Sequence, residues 1–416
     1  MEASGRIDPP AWTAAPDTRI VMEALAADGA TARFVGGCVR DAILGWPVTD
    51  IDIATSETPE AAIALLQKAG IRVVPTGIAH GTVTAVVGSA HFEITTLRRD
   101  VETFGRHARV AFTDDWVADA ERRDFTINAM FCDADGTLYD PTGGFDDLHA
   151  GRVRFVGDPE RRIGEDVLRL LRFFRFYAHY GRSPPDAAAL AACRAMAGEL
   201  GTLSAERVWS ELGRLLLAPA PAAVFELMDA TAILAELLPE ADDRPRLEAL
   251  SGIEAAQGIA ADSIRRFAAV VTTDRAGAEA IAGRLRMSNA ERDHLVLLAA
   301  PAAVPVPRID APARRALLYR LGATAMTDLA LLGWAGEAAA GGTADVAGWT
   351  ALLDAAEGWT AINFPLAGKD VLALGVARGP AIGRLMSTVE EWWIAGDFRA
   401  GREACLRKLK GAVANL

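Results

Sequence analysis

Short β-rich runs alternate with turn signals from about Thr31 to Asp140, and after about Gly157 the β signal stops. That switch constrains the fold more than any other feature of the chain. A sheet must be completed within the first third, and everything after it must bury helix against helix. The runs are TARFVGG, VTDIDIAT, IRVVPTG, GTVTAVVG, HFEITTL and AMFCDADGTLYD. Two of them are hairpin candidates: Gly88-Ser89-Ala90 separates one pair of strands, and Asp135-Gly136 turns inside the last run. Between the strands, Pro59–Ala69 places Ala62, Leu65, Leu66 and Ala69 on one helical face. The later stretches have helical period and break at Gly181–Pro185, Pro219–Pro221, Pro239–Pro245, Pro301–Pro312 and Gly341–Gly342. They show no fixed repeat. The expected class is α+β, with a small mixed β-sheet in an N-terminal head followed by an all-helical remainder.

Charge bears on the partners such a chain can take. Its net charge is −12 with a pI of about 5.1, which excludes a wholly basic surface, so a polyanion would need local basic patches. Residues 151–180 carry seven Arg against four acids, and residues 396–410 carry three Arg and two Lys against two acids. Mixed-charge surface helices are the plain alternative for both. Cys38, Cys132, Cys193 and Cys405 are scattered and form no CxxC pair. They predict reduced thiols in a cytoplasmic protein, without a disulfide framework or zinc site. The start, MEASGRIDPPAW, has no basic segment followed by an apolar run, and no apolar stretch reaches membrane-spanning length. No membrane association and no protein partner are expected.

Three blocks carry residue types suited to chemistry. In FVGGCVRDAILGWPVTDIDIAT a strand runs into Gly36-Gly37 and a helix carrying Arg40 and Asp41. Adjacent glycines at a helix start let backbone N–H groups approach an anion, and a guanidinium completes such a cradle; a tight strand-to-helix turn explains the pair equally. Asp50 and Asp52 stand at i and i+2, so on a strand both carboxylates project to one side. Their repulsion is relieved by a cation, and Mg²⁺ favours carboxylate oxygen together with substrate phosphates. A polar strand end, a sugar-nucleotide transferase or a phosphatase shows the same Asp-x-Asp, although the phosphatase form needs Thr or Val where Ala54 stands. Glu93 points opposite to Phe92 and Ile94, as a third carboxylate of that site or as a solvent-facing residue of a half-buried strand.

In ERRDFTINAMF, Arg122, Arg123 and Asp124 precede an apolar run containing Asn128. Asn128 must find hydrogen-bond partners there, in a ligand's ribose or in a structural network. In GDPERRIGEDVLRLLRFFRF, Asp158 and Pro159 suit a helix start. Glu165, Asp166 and Arg169 follow at i, i+1 and i+4, which makes Asp166 and Arg169 neighbours on one helical face. As a surface ion pair they would be worth only about 0.3–0.5 kcal/mol. The six His are scattered without metal-ligand spacing.

In order, GGCVRD with DID, RRDFTINAM, DPTGGFDDL and EDVLRLLRFFRF resemble the bacterial class II CCA-adding enzyme and poly(A) polymerase family. The resemblance covers residues 20–240 closely and the C-terminal region loosely. It implies a catalytic head at 1–152, a neck with a base-reading helix at 153–218, a body at 219–335 and a tRNA-binding tail at 336–416. It implies that Asp50 and Asp52 hold catalytic metal ions, and that Gly36, Gly37 and Arg40 bind triphosphate. Arg122, Asp124 and Asn128 fall in the block that holds ribose and phosphate, and Asp140–Leu148 in a hinge-like segment. Glu165, Asp166, Arg169 and Arg172 fall in the nucleotide-binding helix, where Asp166 and Arg169 touch the base. The family's flexible loop corresponds to about Arg99–Asp115.

The implied reaction is addition of CMP and AMP, from CTP and ATP with Mg²⁺, to the tRNA 3′ end without a nucleic-acid template. Physical chemistry agrees with the base-reading pair. Cytosine and adenine each present an amino donor beside a ring-nitrogen acceptor, which a carboxylate beside a guanidinium complements. A poly(A) polymerase or an A-only adding enzyme shares the head motifs, while the overall acidity disfavours the former and the loop disfavours a CC-only enzyme. A non-catalytic RNA-binding scaffold is the alternative of another class, against which the intact Asp50 and Asp52 speak.

Overall fold

The computed structural model describes residues 1–27, 29–104 and 107–415. Contacts divide the chain into two compact units, Met1–Pro239 and Glu240–Leu416. All described strands lie in the first: β1 Gly5–Arg6, β2 Ala32–Val35, β3 Ile51–Thr55, β4 Arg72–Gly77, β5 Thr82–Val87, β6 Ala90–Thr96, β7 Arg98–Phe104, β8 His107–Phe112, β9 Phe131–Cys132 and β10 Thr137–Tyr139. Eight of them form one sheet in the order β1-β10-β9-β2-β3-β6-β5-β4, and β7 pairs with β8 alone. The large sheet is mixed, because β3 runs parallel to β6 while the other neighbours are antiparallel.

Both expected hairpins form. Val87 pairs with Ala90 around a two-residue turn at Gly88 and Ser89, and Gly136 takes φ 87° between β9 and β10. A side chain at Gly136 would also strike the Ile7 carbonyl oxygen, at 2.2 Å from its Cβ, so glycine lets the N-terminal strand β1 close the sheet edge. Helix Pro59–Lys68 is capped by Thr58 and buries Ala62, Leu65 and Leu66 as the periodicity predicts, while Ala69, the fourth residue expected on that face, follows the helix and is exposed. Phe34, Ile53, Phe92 and Ile94 fill the sheet core. The expected Arg99–Asp115 loop coincides largely with the β7–β8 ribbon, and residues 105 and 106 within it lie outside the described residues.

The remainder of the first unit is helical. Helix Pro159–Glu165 starts as expected, with the Asp158 carboxylate accepting the Arg161 N–H at 2.8 Å. The stretch then departs from a continuous helix. Asp166 is extended, at φ −153° and ψ 107°, and its carboxylate accepts the Leu168 N–H at 3.1 Å. An aspartate that hydrogen-bonds the backbone two residues on offers the chain a turn instead of a helical bond. A second helix, Leu168–Tyr180, begins after that turn. Its Phe173 and Phe176 pack on Phe125 and Phe155, with Phe125 4.8 Å from Phe155 and 5.1 Å from Phe176 between ring centroids. This aromatic cluster docks the helix on the RRDFTIN block.

The second unit contains only helices among the described residues, of which Ala311–Ala339 is the longest and is kinked at Gly322, where φ is 79°. Near its end Leu366, Val371, Leu385, Val389, Trp393, Cys405 and Leu409 form a separate apolar cluster. No helix among the described residues is long and apolar enough to cross a membrane.

Candidate active site

A cleft of about 510 Å³ opens in the first unit where the sheet meets helix Leu168–Tyr180. Eight arginines and three carboxylates line it: Arg40, Arg122, Arg123, Arg169, Arg172, Arg175, Arg207 and Arg214, with Asp52, Asp124 and Asp166. Gly36, Gly37 and Asn128 complete its polar wall. An acidic protein thus gathers a strongly cationic pocket, suited to a polyphosphate.

The strand-to-helix turn builds one side. Gly36, at φ 75°, lets the chain turn from β2 into helix Gly37–Ile43, and a Cβ there would lie 3.9 Å from the Asp52 carboxylate. Arg40 is nearly buried; it donates from Nε and Nη2 to Asp41 at 2.8 and 3.0 Å and from Nη1 to the Asn128 side-chain oxygen at 2.6 Å. Asn128 in turn donates to Asp124 at 3.1 Å. The network reading of Asn128 therefore holds, and the same network borders the cleft.

The carboxylates lie on the sheet. Asp52 stands on β3 in register with Glu93 on the parallel strand β6. Glu93 is exposed between buried Phe92 and Ile94, and Asp50 is exposed just before β3. Burial, and then the Glu93 charge, push the Asp52 carboxyl up to about 6, with Arg123 opposing and Asp50 adding to the rise. Such a cluster of hard oxygen donors is relieved by a divalent cation, and it leaves coordination positions for phosphate oxygens. Among the described residues no group of three or more His, Cys, Asp or Glu side chains is gathered tightly enough to hold a metal ion alone. The donor set fits an open site on carboxylates plus substrate better than a closed cage.

The floor is held by buried carboxylates, of which Asp119 and Glu211 are absent from the sequence reading. Asp119, 1% exposed, accepts from Arg122 Nε at 2.8 Å and from Arg123 Nη2 at 2.9 Å. Asp124 accepts Arg172 Nε at 2.7 Å and the Phe125 N–H at 2.9 Å. Although burial raises its carboxyl, Arg172 and the hydrogen bonds outweigh that and hold it far below the usual range. Buried Glu211, on helix Ala205–Leu216, accepts from Arg175 and lies 3.8 Å from Arg172.

The expected base-reading residues line the cleft, but Asp166 and Arg169 do not pair with each other. Arg169 Nη1 donates to Glu165 at 2.6 Å and to the Arg162 carbonyl at 2.9 Å. Asp166 instead accepts from Arg207 at 2.8 Å. The break at Asp166 separates the two functional groups that a continuous helix would have stacked. Each carboxylate oxygen of Asp166 keeps a lone pair, and the Arg169 fork keeps donors, so both retain capacity toward a ligand.

Residues 32–154 match the model of the Poly A polymerase head domain, and residues 185–244 match a probable RNA and SrmB-binding site of polymerase A. CCA tRNA nucleotidyltransferase 1, mitochondrial, of Danio rerio is 34% identical over 387 residues, spanning 91% of this chain and 86% of that protein. The chain belongs to the CCA-adding nucleotidyltransferase family. The CCA-adding enzyme of Anoxybacillus flavithermus is 36% identical over 253 residues, 60% of this chain and 62% of that one. The crystal structure of the Bacillus stearothermophilus CCA-adding enzyme in complex with CTP superposes with a TM-score of 0.73 at 26% identity, over 96% of this chain and 98% of that one.

Within a CCA-adding nucleotidyltransferase, the DPTGGFDDL segment has a mechanical explanation here. Asp140 caps helix Gly144–Ala150 by accepting the Gly144 and Phe145 N–H groups at 2.8 and 2.9 Å. Buried Asp147 accepts the Thr126 hydroxyl at 2.7 Å, tying the segment to RRDFTIN. Of the supporting residues, Asp119, Arg162, Arg207 and Glu211 escaped the sequence reading. Arg207 and Glu211 stand at i and i+4, a spacing that in sequence is indistinguishable from a surface ion pair. In the structure they point to two different partners.

Proposed function

We propose that this chain adds CMP and AMP, from CTP and ATP, to the 3′ end of tRNA, building the CCA terminus without a nucleic-acid template. The observation that carries this reading is the cationic cleft lined together by Asp52, by the Gly36-Gly37 turn and by Asp166 and Arg169. Sequence relatives are named as a CCA tRNA nucleotidyltransferase and a CCA-adding enzyme, and the CCA-adding enzyme that shares the fold is described in complex with CTP.

Gly36, Gly37 and Arg40 cradle the triphosphate, and Arg122, Asp124 and Asn128 hold the ribose and its phosphate. Asp166 accepts the amino group of C or A, and Arg169 donates to the adjacent ring nitrogen. Guanine and uracil present a carbonyl and an N–H there, leaving buried polar groups facing like partners, a mismatch worth up to roughly 10⁴-fold in selectivity. Glu165 holds Arg169 and Arg207 holds Asp166, so one preset pair reads both bases.

The primer 3′-oxygen bonds to the α-phosphorus as the bond to the β-phosphate oxygen breaks, and pyrophosphate leaves. Nucleotidyltransferases normally use divalent metal ions; Asp50 and Asp52, with Glu93 beside them, would hold Mg²⁺, which would offset the negative charge on the attacking and leaving oxygens. Because such transfer relies on positioning and charge, each Asp is essential. Residues 1–152 serve as head, 153–218 as neck, 219–335 as body and 336–416 as tRNA-binding tail. The buried free thiols accord with a reducing, cytoplasmic setting.

The test is incorporation of labelled CTP and ATP, with Mg²⁺, into tRNA transcripts lacking CCA, by the wild type and by Asp52→Ala. Asp52→Ala is expected to lose incorporation by roughly 100- to 1,000-fold or more while melting at the wild-type temperature. Substantial residual activity in a folded variant overturns the metal assignment.

A further inference from the structure

We propose that Trp46 is a stacking platform for the terminal base of the RNA primer; the proposal rests on the nucleotidyl-transfer reading above and names a further binding residue for it. The backbone that presents this side chain is tightly determined. Helix Gly37–Ile43 ends in Gly45, at φ 68°. The Gly45 N–H donates to the Ala42 carbonyl at 3.0 Å, and the Trp46 N–H donates back to the Asp41 carbonyl at 2.8 Å. This paired closure of a helix C-terminus fixes the residue that follows the glycine, and Pro47 restricts the chain beyond it.

The indole is fixed as well. It stacks on Tyr180, with ring centroids 5.2 Å apart and planes at 27°. Tyr180 is anchored by its hydroxyl, which donates to Asp41 at 3.1 Å, and by the Arg40 guanidinium 4.2 Å from its ring centroid. Arg40 itself borders the cleft. Even so, Trp46 is 43% exposed, so a large rigid aromatic surface is held open to solvent, linked through Tyr180 to an arginine that borders the cleft.

Position assigns the occupant. Asp50 follows Trp46 by four positions, so the two Cα atoms lie within about 14 Å, roughly two nucleotides of an extended strand. A primer whose 3′-hydroxyl reaches Asp50 and Asp52 has its last bases within reach of this ring. Every base has a face to stack, so an aromatic platform grips a growing end whether it terminates in the discriminator base, C or CC. On the reading above the base of the incoming nucleotide is held at Asp166 and Arg169, and it does not need Trp46.

The experiment measures KM for a tRNA transcript lacking CCA and KM for CTP in the wild type, Trp46→Leu and Trp46→Phe. The expected result for Trp46→Leu is a rise of roughly tenfold in KM for tRNA, with KM for CTP within about twofold of wild type. Trp46→Phe, which keeps a ring, should recover most of the loss, a rescue that a merely structural role would not show if both variants melt alike. An unchanged KM for tRNA in Trp46→Leu, or a parallel rise in KM for CTP, overturns the proposal while leaving the transfer reading intact. A wild-type protein that incorporates no nucleotide overturns both.

Discussion

Arginines at this site act through the carboxylates that hold them, and the consequence is testable at Arg207. Asp166 has two fixed partners, the Leu168 N–H and the Arg207 guanidinium. Removing Arg207 leaves the carboxylate held by the Leu168 N–H alone, a change of the size of a lost charged hydrogen bond. Arg207→Ala is expected to lower discrimination of CTP over UTP by roughly tenfold without weakening tRNA binding; selectivity equal to wild type would mean that Asp166 is positioned by its own turn alone. This partnership was not legible in the sequence, because Arg207 and Asp166 are 41 positions apart and nothing local links them. The Asp50-x-Asp52 pair and the Gly36-Gly37 turn were legible, since both are set by strand period and by backbone freedom within a few residues. Asn128 was legible only as a polar group in need of partners; which partners it found required the fold.

Elements reported themselves in the sequence where backbone chemistry is local. Asp158-Pro159, Gly88-Ser89 and Asp135-Gly136 each placed a cap or turn correctly, because each acts on its own neighbours. The break at Asp166 escaped for the same physical reason in reverse: a helical period continues through EDVLRLL, and only the side chain's competing hydrogen bond ends it. Strand β1, two residues long, is too short to carry alternation. The junction of head and helices rests on close approach at Gly144, where a Cβ would sit 2.1 Å from the Thr126 carbonyl oxygen. Gly144→Ala must therefore push helix Gly144–Ala150 off the RRDFTIN block. A destabilisation of about 1–3 kcal/mol is expected, read as a lowered melting temperature together with lost activity; a variant as stable as wild type would show that the helix can shift freely.

Over the whole molecule, acidity and a cationic task are reconciled by burial. The formal charge of −12 is spread over the chain, while the cleft collects arginines whose counter-charges, Asp119, Asp124 and Glu211, lie beneath them. The second unit buries its own ionic network. Arg265 bonds Glu254 and Asp328 at 2.7 Å each, Arg266 bonds Glu254 at 2.6 Å, and His294 lies 2.8 Å from Asp328. The hydrogen bond to Asp328 raises the His294 pKa above its ordinary value despite partial burial, with Asp262 adding to the rise and Arg265 opposing it. A raised folded value means that the protonated imidazolium favours the folded state. Its contribution is complete below about 6.5, the unfolded value, and is lost as pH rises through the folded value. Unfolding midpoints in urea should accordingly fall as pH climbs from about 6 to 8, and His294→Ala should flatten that part of the profile. A midpoint that is pH-independent in the wild type would contradict the assignment.

The central claim is that one preset protein pair selects C and A and rejects the other bases. The most direct measurement is sequencing of the 3′ ends made by the purified protein from a tRNA transcript lacking CCA, given CTP, ATP, UTP and GTP together with Mg²⁺. The account predicts ends that read C, C, A and then stop, with U and G absent. Extended A tails, A added only to transcripts already ending in CC, or U and G at the new ends would contradict it.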